Sequence, residues 1–396
     1  MSAYTDQAIA AHSHTFIKHA SVASSPAYSS VSGRRAIGLT ALGVALAGAV
    51  VANANASSVT IYGIYDLGVT QVSNIAGSSV TRMDDSILQG NRLGFRGRED
   101  LGSGLEAFFN LEMGFAGDTG ALRQGGAGFG RASLVGLSHR GLGEISLGRQ
   151  FDLMNPTLVQ FSPISSQGVY SATVGDADRV GGNWLNNMIT YKSPVIGNFR
   201  FSGQYSFKED GTSTTNAGRA FSLGGSYSNG GFNAGVAMTD IKGYTVTPAT
   251  AFGVSRFLDA AITSKTSIKL AKYRTVGVGA GYTMGQFTLS GLMTNTRYEG
   301  SSGRSQSMTS FVIPLVYRPT SQWLFEAGYS QSRMDGSQWR GINLMADYAL
   351  SKRTDIYASA NITRATGNGA SAVIFTLPTS SSQNQSALRL GVRHRF

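Results

Sequence analysis

The chain has 396 residues and a formal net charge of +11, yet only 14% of its residues are charged, against about 25% in a typical soluble domain. It contains no cysteine, which excludes disulfides, zinc–thiolate sites and thiol nucleophiles. Glycine is abundant, with 51 residues, and proline is scarce, with 8.

The first predicted element is an export signal. A twin arginine precedes the apolar stretch AIGLTALGVALAGAVV (36–51), and the sequence ANA that ends at Ala56 has the small-x-small form of a cleavage site. These are the parts of a secretory signal peptide, and the apolar run is shorter than the roughly 20 residues of a membrane-spanning helix. We therefore expect residues 1–56 to be a leader plus signal peptide, cleaved near Ala56, and residues 57–396 to form a single domain.

From residue 57 onward, apolar residues recur with a period of two, which indicates β-strands. In one segment Leu105 and Met113 share one face, and Glu106 and Glu112 share the other. An even number of segments of about ten residues is typical of transmembrane β-barrels. The sixteen predicted starts lie near Val59, Arg92, Leu105, Gly130, Glu144, Asn187, Phe199, Ala220, Phe232, Tyr273, Phe287, Met308, Trp323, Arg340, Asp355 and Ala387.

The connections between these segments alternate in length. Short ones include 101–104 and 229–231, and long ones include 71–91, 116–128, 240–270 and 366–386. Short turns on one side and long loops on the other are typical of outer-membrane barrels. A large soluble β-sandwich is the alternative, but the many aromatic residues near strand ends fit two membrane interfaces better. They are Tyr62, Tyr205, Phe207, Tyr227, Tyr282, Tyr317, Tyr329 and Tyr348.

The lipid environment then decides the fold class. In lipid every backbone N–H and C=O must be paired, so a β structure has to close on itself. About sixteen strands enclose a water-filled channel rather than a packed core. We therefore predict an all-β protein, a 16-stranded antiparallel transmembrane β-barrel with its polar face inward.

Several motifs occur in a characteristic order. They are SSVTIYGIYDLGV, NRLGFRGREDLGSGLEAFFNLEMGF, FGRASLVGLSHRGLGEISLGRQFD, NNMITYKSP and the final LGVRHRF. Together they closely resemble the general-diffusion porins of the Gram-negative outer membrane, of the β-proteobacterial type, over residues 57–396. The resemblance implies a trimeric porin whose third loop folds into the barrel and narrows it. That loop, here 152–186, is called the constriction loop below, and a connection of this length without regular pattern is usually functional.

The resemblance also implies which residues line the narrowest zone. In this family an arginine in an S/N-R-L-G motif and an arginine in an F-x-R-x-S motif do so, and here they are Arg92 and Arg131. A third arginine often precedes the N-N-x-I-x-Y motif. Trp184 stands near that position in this chain, and Arg179 comes five residues earlier. We take Arg179 as the candidate for the third arginine.

Strand parity gives a direction for these side chains. The apolar neighbours of Arg92 and Arg96 are predicted to face outward, so both arginines face inward. Arg131 shares its face with Ser133, opposite Leu134, and this grouping predicts that Arg131 faces inward as well.

Acidic residues are expected on the other side of the constriction. Asp176 and Asp178, on the constriction loop, are candidates for the opposite wall, and Glu106 and Glu112 face the lumen by parity. Basic residues facing acidic ones create a transverse field, and charged side chains set ion selectivity in pores. The alternative is that the arginines are solvated lumen residues paired with Glu106, Glu112 or Asp66.

These observations predict a passive channel for small hydrophilic solutes and ions. A preference for anions is expected, because the chain is basic and its narrow zone is rich in arginine. The alternative is a substrate-selective outer-membrane channel for a specific organic or inorganic anion.

Catalysis is not expected. Only two histidines follow the signal peptide, His139 at a short turn and His394 with outward parity, so neither can activate a lumenal nucleophile. We expect no cofactor, no metal and no nucleic-acid partner. The expected partners are outer-membrane lipid, the assembly machinery and two further copies in a homotrimer, the last on the resemblance alone.

The final nine residues, LRLGVRHRF, alternate between apolar and basic side chains. Because a closed barrel leaves no free edge, this strand has to pair with the first one. The resemblance implies that the terminal aromatic residue, Phe396, is also a recognition signal for the outer-membrane assembly machinery.

Overall fold

The computed structural model describes residues 58–208 and 218–396. Within these residues sixteen antiparallel strands form one closed barrel, which confirms the predicted fold class, and every predicted start lies within three residues of the observed one. The signal peptide predicted in 1–56 lies outside the described residues. The barrel strands are β1 (Ser58–Ile75), β2 (Arg92–Gly102), β3 (Leu105–Gly114), β4 (Ala132–His139), β5 (Gly143–Phe151), β6 (Trp184–Lys192), β7 (Phe199–Ser206), β8 (Ala220–Asn229), β9 (Phe232–Ile241), β10 (Lys272–Met284), β11 (Phe287–Glu299), β12 (Ser305–Tyr317), β13 (Trp323–Met334), β14 (Ser337–Ala349), β15 (Thr354–Thr366) and β16 (Asn384–Arg395).

The barrel closes between its first and last strands. β16 pairs with β1 as far as Ile64 and Arg395. Beyond this pair, Gly63 and Phe396 exchange two backbone hydrogen bonds of 3.0 and 3.1 Å. A Cβ at position 63 would overlap the Phe396 ring, so this close approach requires a glycine.

An additional strand, Ser78–Asp85, forms a hairpin with β1. The same edge of β1 therefore pairs with this strand near the long loops and with β2 further down. Residues 82–91, called the inner segment below, turn into the lumen, where Leu88 packs against Met345 and Tyr357. The sequence pattern predicts a long loop over 71–91, and the hairpin is a difference from that prediction.

Exposure alternates along the strands as the period of two predicts. In β11, Phe287, Leu289 and Met293 are exposed on the outer face, whereas Thr294 and Thr296 are buried on the inner face. The apolar side chains therefore face lipid and the small polar ones face the interior, the order that a membrane barrel requires.

The helices of the structure are short and lie in the loops. Among the described residues, no helix has the length and apolar character needed to cross a membrane. The α-helices are α1 (Met154–Leu158), α2 (Ile164–Gln167) and α3 (Pro248–Phe252), the 3-10 helices are Val159–Phe161, Val169–Ser171 and Val174–Asp176, and two small hairpins pair Thr245–Val246 with Ile268–Lys269 and Arg256–Phe257 with Ala260–Ala261.

Two long loops, 242–271 and 367–383, fold back over the barrel wall. Phe252 in the first loop packs on Tyr298 of β11, with ring centroids 5.6 Å apart. Trp339 of β14 donates its indole N–H to the carbonyl oxygen of Ser371 in the second loop, at 3.1 Å. These contacts bury apolar side chains on the long-loop side of the barrel.

Candidate functional site

The constriction loop leaves the wall between β5 and β6. At its neck the Asp152 N–H donates to the Asn183 carbonyl oxygen at 3.0 Å. The rings of Phe151 and Trp184 stack beside this bond, with centroids 4.8 Å apart. The connection is therefore 152–183, slightly shorter than predicted, because β6 begins at Trp184.

The end of the loop is fixed to the inner wall. The Ala177 carbonyl oxygen accepts hydrogen bonds from Tyr273 Oη at 2.6 Å and Thr296 Oγ1 at 3.1 Å. Asp178 Oδ2 accepts one from Thr294 Oγ1 at 3.0 Å. Because these donors belong to β10 and β11, the loop is held against that side of the barrel.

Arg179 completes this attachment. Its Nε donates to Asp152 Oδ2 at 2.8 Å, and one terminal nitrogen donates to the Thr239 carbonyl oxygen at 3.3 Å. Its guanidinium lies 4.2 Å from the centroid of the Tyr273 ring. Arg179 is only 2% exposed, so it joins the two ends of the loop to the wall. It does not face the channel, and the prediction that it would line the constriction is wrong for this reason.

The tip of the loop reaches the opposite part of the lumen. There the Val169 N–H donates to the Ile87 carbonyl oxygen of the inner segment at 2.8 Å. The Tyr170 hydroxyl donates to the carboxylate of Asp84. The loop therefore crosses the lumen and is fastened at both sides, as an inward-folded constriction requires.

A cavity of about 550 Å³ remains between the constriction loop, the inner segment, the β3–β4 connection and Trp184. We call it the constriction cavity. Its charged lining residues are Arg82, Asp84, Asp85, Arg92, Asp118, Arg123 and Arg131.

In two ion pairs of the constriction cavity, the arginine is much more exposed than its aspartate partner. The side chain of Arg82 is 41% exposed, whereas that of its partner Asp84 is 4% exposed. The Arg123 side chain is 42% exposed and that of its partner Asp85 is 5% exposed. The guanidinium groups therefore face the cavity, while the carboxylates are turned into the protein.

A cluster of two arginines shares one carboxylate at the cavity wall. Arg131 Nε donates to Glu112 Oε1 at 2.6 Å, and an Arg92 terminal nitrogen lies 3.8 Å from the same oxygen. The Tyr62 hydroxyl donates to Glu112 Oε2 at 2.8 Å, so Tyr62 faces the lumen and its predicted place at a membrane interface is wrong. The Arg131 guanidinium also lies 5.0 Å from the ring centroid of Trp184, the residue near the expected third arginine.

Arg131 reaches this cluster for a reason other than the predicted one. In β4, Ser133 is exposed on the outer face and Leu134 faces inward, opposite to the predicted grouping. Arg131 immediately precedes β4 and points inward because the chain bends before the strand. The Gly130 carbonyl oxygen at this bend accepts a hydrogen bond from Arg149 Nε at 2.7 Å.

Further toward the short turns, a second cavity of about 420 Å³ has Arg96, Arg98, Lys192 and Glu144 as its charged lining residues, and Lys192 lies 2.9 Å from Glu144 Oε1. Arg98 lies 2.7 Å from Glu106 Oε2. Arg96 stacks on the Tyr62 ring at 5.0 Å and forms no ion pair with any residue in the described part of the chain. Arg96 and Glu106 thus occupy the lumen, as parity predicts.

The two loop aspartates do not form the acidic wall that the sequence predicted. Asp176 and Asp178 are 9% and 1% exposed, and Asp176 Oδ1 accepts a hydrogen bond from the Gly181 N–H at 2.8 Å. Burial raises the pKa of both carboxyl groups, and the neighbouring Asp178 raises the pKa of Asp176 further. Both residues hold the loop in place, and the carboxylates beside the cavity belong instead to the inner segment, to Glu112 and to the exposed Asp118.

Sequence reasoning missed the inner segment and Arg123. Arg82, Asp84 and Asp85 lay in what looked like an ordinary long loop. One feature of the sequence indicates that this connection is unusual. The run RMDD concentrates three charges in a connection otherwise rich in Ser, Thr and Gly. Nothing in the sequence places Arg123 opposite Asp85.

The comparisons with known proteins agree with this architecture. A family model described as Gram-negative porin matches residues 38–368. The chain is 31% identical over 360 residues to outer membrane porin protein 32 of Delftia acidovorans, covering 86% of this chain and 94% of that protein. It is 29% identical over 215 residues to an outer membrane porin protein of Bordetella pertussis, covering 47% of this chain and 54% of that protein.

A solved structure extends the likeness to three dimensions. The anion-selective porin from Comamonas acidovorans is similar with a TM-score of 0.71 and 26% identity, covering 86% of this chain and 100% of that chain. The family match, the closed barrel and the inward-folded loop lead to one conclusion. The chain belongs to the Gram-negative porin family, of the β-proteobacterial type, and forms a channel across the outer membrane.

Proposed function

We propose that this channel passes small hydrophilic solutes and ions by passive diffusion and prefers anions. The observation that carries the preference is the unequal exposure in the constriction cavity. Arg82 and Arg123 present their guanidinium groups to the cavity, while Asp84 and Asp85 are almost fully buried. A positive potential at the narrowest zone enriches anions there and raises the barrier for cations.

The wall below the constriction supports the same preference. Arg92, Arg96 and Arg98 follow one another along β2 on the lumenal face. Arg96 has no carboxylate partner among the described residues, so its charge is available to a passing anion. The similar solved porin from Comamonas acidovorans is described as anion-selective, which supports the proposal.

The test is the reversal potential of the purified protein in a planar lipid bilayer under a KCl gradient. Anion preference gives a zero-current potential of the sign set by chloride. A potential of the sign set by potassium would contradict the proposal, and a value near zero would leave passive diffusion without selectivity.

A second candidate function is a channel selective for one organic anion. One observation favours it, because the guanidinium of Arg98 lies 5.4 Å from the ring centroid of Phe108, beside Arg96. Apolar surface next to basic groups suits an organic anion. Liposome swelling separates the two functions, since general diffusion gives rates that fall smoothly with solute size and a selective channel gives a saturable preference for one solute.

We also propose how the chain is processed and assembled. Residues 1–56 are removed, residues 57–396 form one domain, and three copies associate in the outer membrane. The family resemblance supports the trimer, and the exposed ring of Phe396 at the barrel rim supports its role as an assembly signal. The proposed function requires no catalysis, metal or cofactor.

Deletion of Phe396 tests the assembly proposal. We expect less trimer on unheated gels and unchanged export to the periplasm. Undiminished assembly would leave Phe396 with only its structural role in closing the barrel.

A further inference from the structure

The second cavity, between the constriction and the short turns, contains an aromatic side chain on the lumenal wall. Phe108 on β3 shares the inward face of its strand with Glu106 and Asn110, and it is partly exposed in this cavity. Its ring lies against Gly136, the direct cross-strand partner on β4, where a Cβ would overlap the ring. The lumenal face of a porin wall is normally polar, so a phenyl ring that faces the channel is unusual there.

A second apolar side chain extends this surface. Leu134 on β4 also lines the cavity and is partly exposed. It lies two residues from Gly136 on the same face of the strand, a distance of roughly 7 Å. Phe108 and Leu134 therefore form a small apolar patch inside a water-filled channel. Exposed apolar patches often mark binding sites.

The charges around this patch are unequally paired. Arg98 lies 2.7 Å from Glu106 Oε2, and Lys192 lies 2.9 Å from Glu144 Oε1. Arg96 forms neither an ion pair nor a hydrogen bond with any residue in the part of the chain that the structure describes. Two of the three basic groups are thus neutralised by the protein, and the third is available to a solute.

The free arginine is held in a fixed orientation. Its guanidinium stacks on the Tyr62 ring, 5.0 Å from the centroid. The Tyr62 hydroxyl is itself held, because it donates to Asn110 Oδ1 at 2.9 Å and to Glu112 Oε2 at 2.8 Å. Stacking uses the face of a guanidinium and leaves its N–H donors at the edge, where they can bind a carboxylate with two parallel hydrogen bonds.

A buried amide supplies a further donor at the cavity. Gln150 on β5 lines the cavity and is only 8% exposed. Its Oε1 accepts a hydrogen bond from Ser146 Oγ at 3.1 Å, whereas its Nε2 has no hydrogen-bond partner among the described residues. Buried polar groups in proteins are nearly always paired, so this amide is suited to an acceptor that enters the cavity.

We propose that the second cavity is a binding site for a small aromatic monocarboxylate. The carboxylate of the solute pairs with the Arg96 guanidinium and accepts a hydrogen bond from Gln150 Nε2. The aromatic ring of the solute lies on the apolar patch of Phe108 and Leu134. Pairs of aromatic rings gain energy beyond the apolar area that they bury.

The cavity favours this class of solute over other anions. An inorganic anion would pair with Arg96 but would leave the apolar patch exposed to water. A dicarboxylate would bring a second negative charge next to Glu106 or Glu144, because no other basic group of the cavity lacks a partner among the described residues. The volume of about 420 Å³ lies within the range of about 300–1,000 Å³ that is usual for small-molecule sites.

The proposal names a solute class for the organic-anion channel considered above and therefore rests on that function. Single-channel conductance of the purified protein in KCl tests it with three probes. They are benzoate, acetate, which has the same charge without a ring, and benzyl alcohol, which has a ring without a charge. We expect benzoate to lower the conductance in a saturable way, and acetate and benzyl alcohol to need at least about tenfold higher concentrations.

Two substitutions separate the charge from the apolar patch. Arg96→Gln should raise the half-saturating benzoate concentration by about tenfold, because it removes a hydrogen-bonded charge. Phe108→Ala should raise it by about fivefold and leave the effect of acetate unchanged. Phe108→Leu, which keeps an apolar side chain but no ring, should have an intermediate effect.

The matched control is Arg82→Gln, which removes one lumenal charge from the constriction cavity instead. This variant should change the reversal potential under a KCl gradient and leave the half-saturating benzoate concentration unchanged. Equal effects of benzoate and acetate on wild type, or an unchanged response of Arg96→Gln to benzoate, would overturn the site. A non-saturable response to benzoate in an anion-selective wild type would overturn the site alone. Saturable benzoate binding without anion preference would support the site and contradict the proposed ion selectivity.

Discussion

Two groups of arginines lie inside this barrel in different surroundings. Arg179 and Arg389 are each 2% exposed. Arg389, for example, donates to Tyr357 Oη at 2.8 Å, to Thr70 Oγ1 at 3.0 Å and to a carbonyl oxygen of the inner segment. Arg82 and Arg123 in the constriction cavity instead make one ion pair each, and their side chains are 41% and 42% exposed.

The difference shows that a lumenal position alone does not make an arginine part of the conduction path. Arg179 stabilises the loop because its carboxylate partner is equally buried, with both side chains at most 3% exposed. Arg82 contributes to the field of the pore because its partner is buried and its own side chain is not. The exposure of the two partners, rather than the presence of the pair, separates structural from functional charges.

The largest effect is expected from breaking the buried ion pair that holds the constriction loop. The substitution Arg179→Met leaves Asp152 buried without a partner, which costs roughly 3–5 kcal/mol in a protein interior. We expect the constriction loop to detach from the wall, with larger and noisier single-channel conductance and new protease cleavage within 152–183.

Two controls sharpen this prediction. Arg304→Met breaks an ion pair with Asp259 in which both side chains are more than half exposed, and such pairs contribute at most about 1 kcal/mol, so conductance should not change. The double variant Arg179→Met/Asp152→Leu removes both charges and should recover part of the lost stability. Wild-type conductance in Arg179→Met would show that the ion pair does not hold the loop.

The second prediction concerns the arginines that are exposed to the constriction cavity. Arg82→Gln combined with Arg123→Gln removes the two guanidinium groups that are exposed to the constriction cavity and leaves the carboxylates of Asp84 and Asp85 uncompensated. The reversal potential under a KCl gradient should therefore shift strongly toward cations. Arg340→Gln combined with Arg364→Gln, which removes two charges from the outer face, is the matched control and should leave the potential unchanged. Equal shifts in both variants would mean that overall charge, rather than the cavity, sets selectivity.

Strand positions could be predicted because one rule acts on every residue of the barrel wall. Alternation between lipid and lumen repeats every two residues, so Phe287 and Leu289 could be assigned to the outer face with no knowledge of their neighbours. The same rule placed Arg96 and Glu106 in the lumen. For Arg131 it gave the correct inward direction from a wrong grouping with Ser133, because Arg131 lies one position before its strand and follows the bend at Gly130.

Loop residues could not be assigned in this way. Asp176 and Asp178 were expected to face the pore, but their direction depends on long-range partners such as Thr294, more than a hundred positions away in the chain. The inner segment escaped prediction for the same reason, since Asp84 is positioned by Tyr170 at the loop tip. Charge and loop length indicated where the constriction is, but not which of its carboxylates are exposed.

A smaller effect is expected at the loop tip. Tyr170→Phe removes the hydroxyl that donates to Asp84, and a hydrogen bond to a charged group contributes about 1.5–3 kcal/mol. The backbone bond between Val169 and Ile87 remains, so the tip should become mobile without detaching. We expect increased current noise at an almost unchanged mean conductance. A conductance change as large as that of Arg179→Met would mean that the tip, rather than the wall, is the main attachment.

The smallest effect is a dependence of stability on pH through Asp176. Burial and the nearby Asp178 raise the pKa of Asp176 well above its ordinary value of 3.8. A carboxyl with a raised folded-state pKa stabilises the fold fully only below its ordinary pKa, and this contribution is lost as pH rises through the raised pKa. Asp176→Asn keeps the acceptor for the Gly181 N–H and cannot ionise. The melting temperature of the variant should therefore exceed that of wild type by an amount that grows with pH across this window. A difference independent of pH would show that Asp176 titrates as a solvated side chain. The buried charged groups that hold the constriction loop would then be Arg179 and Asp178.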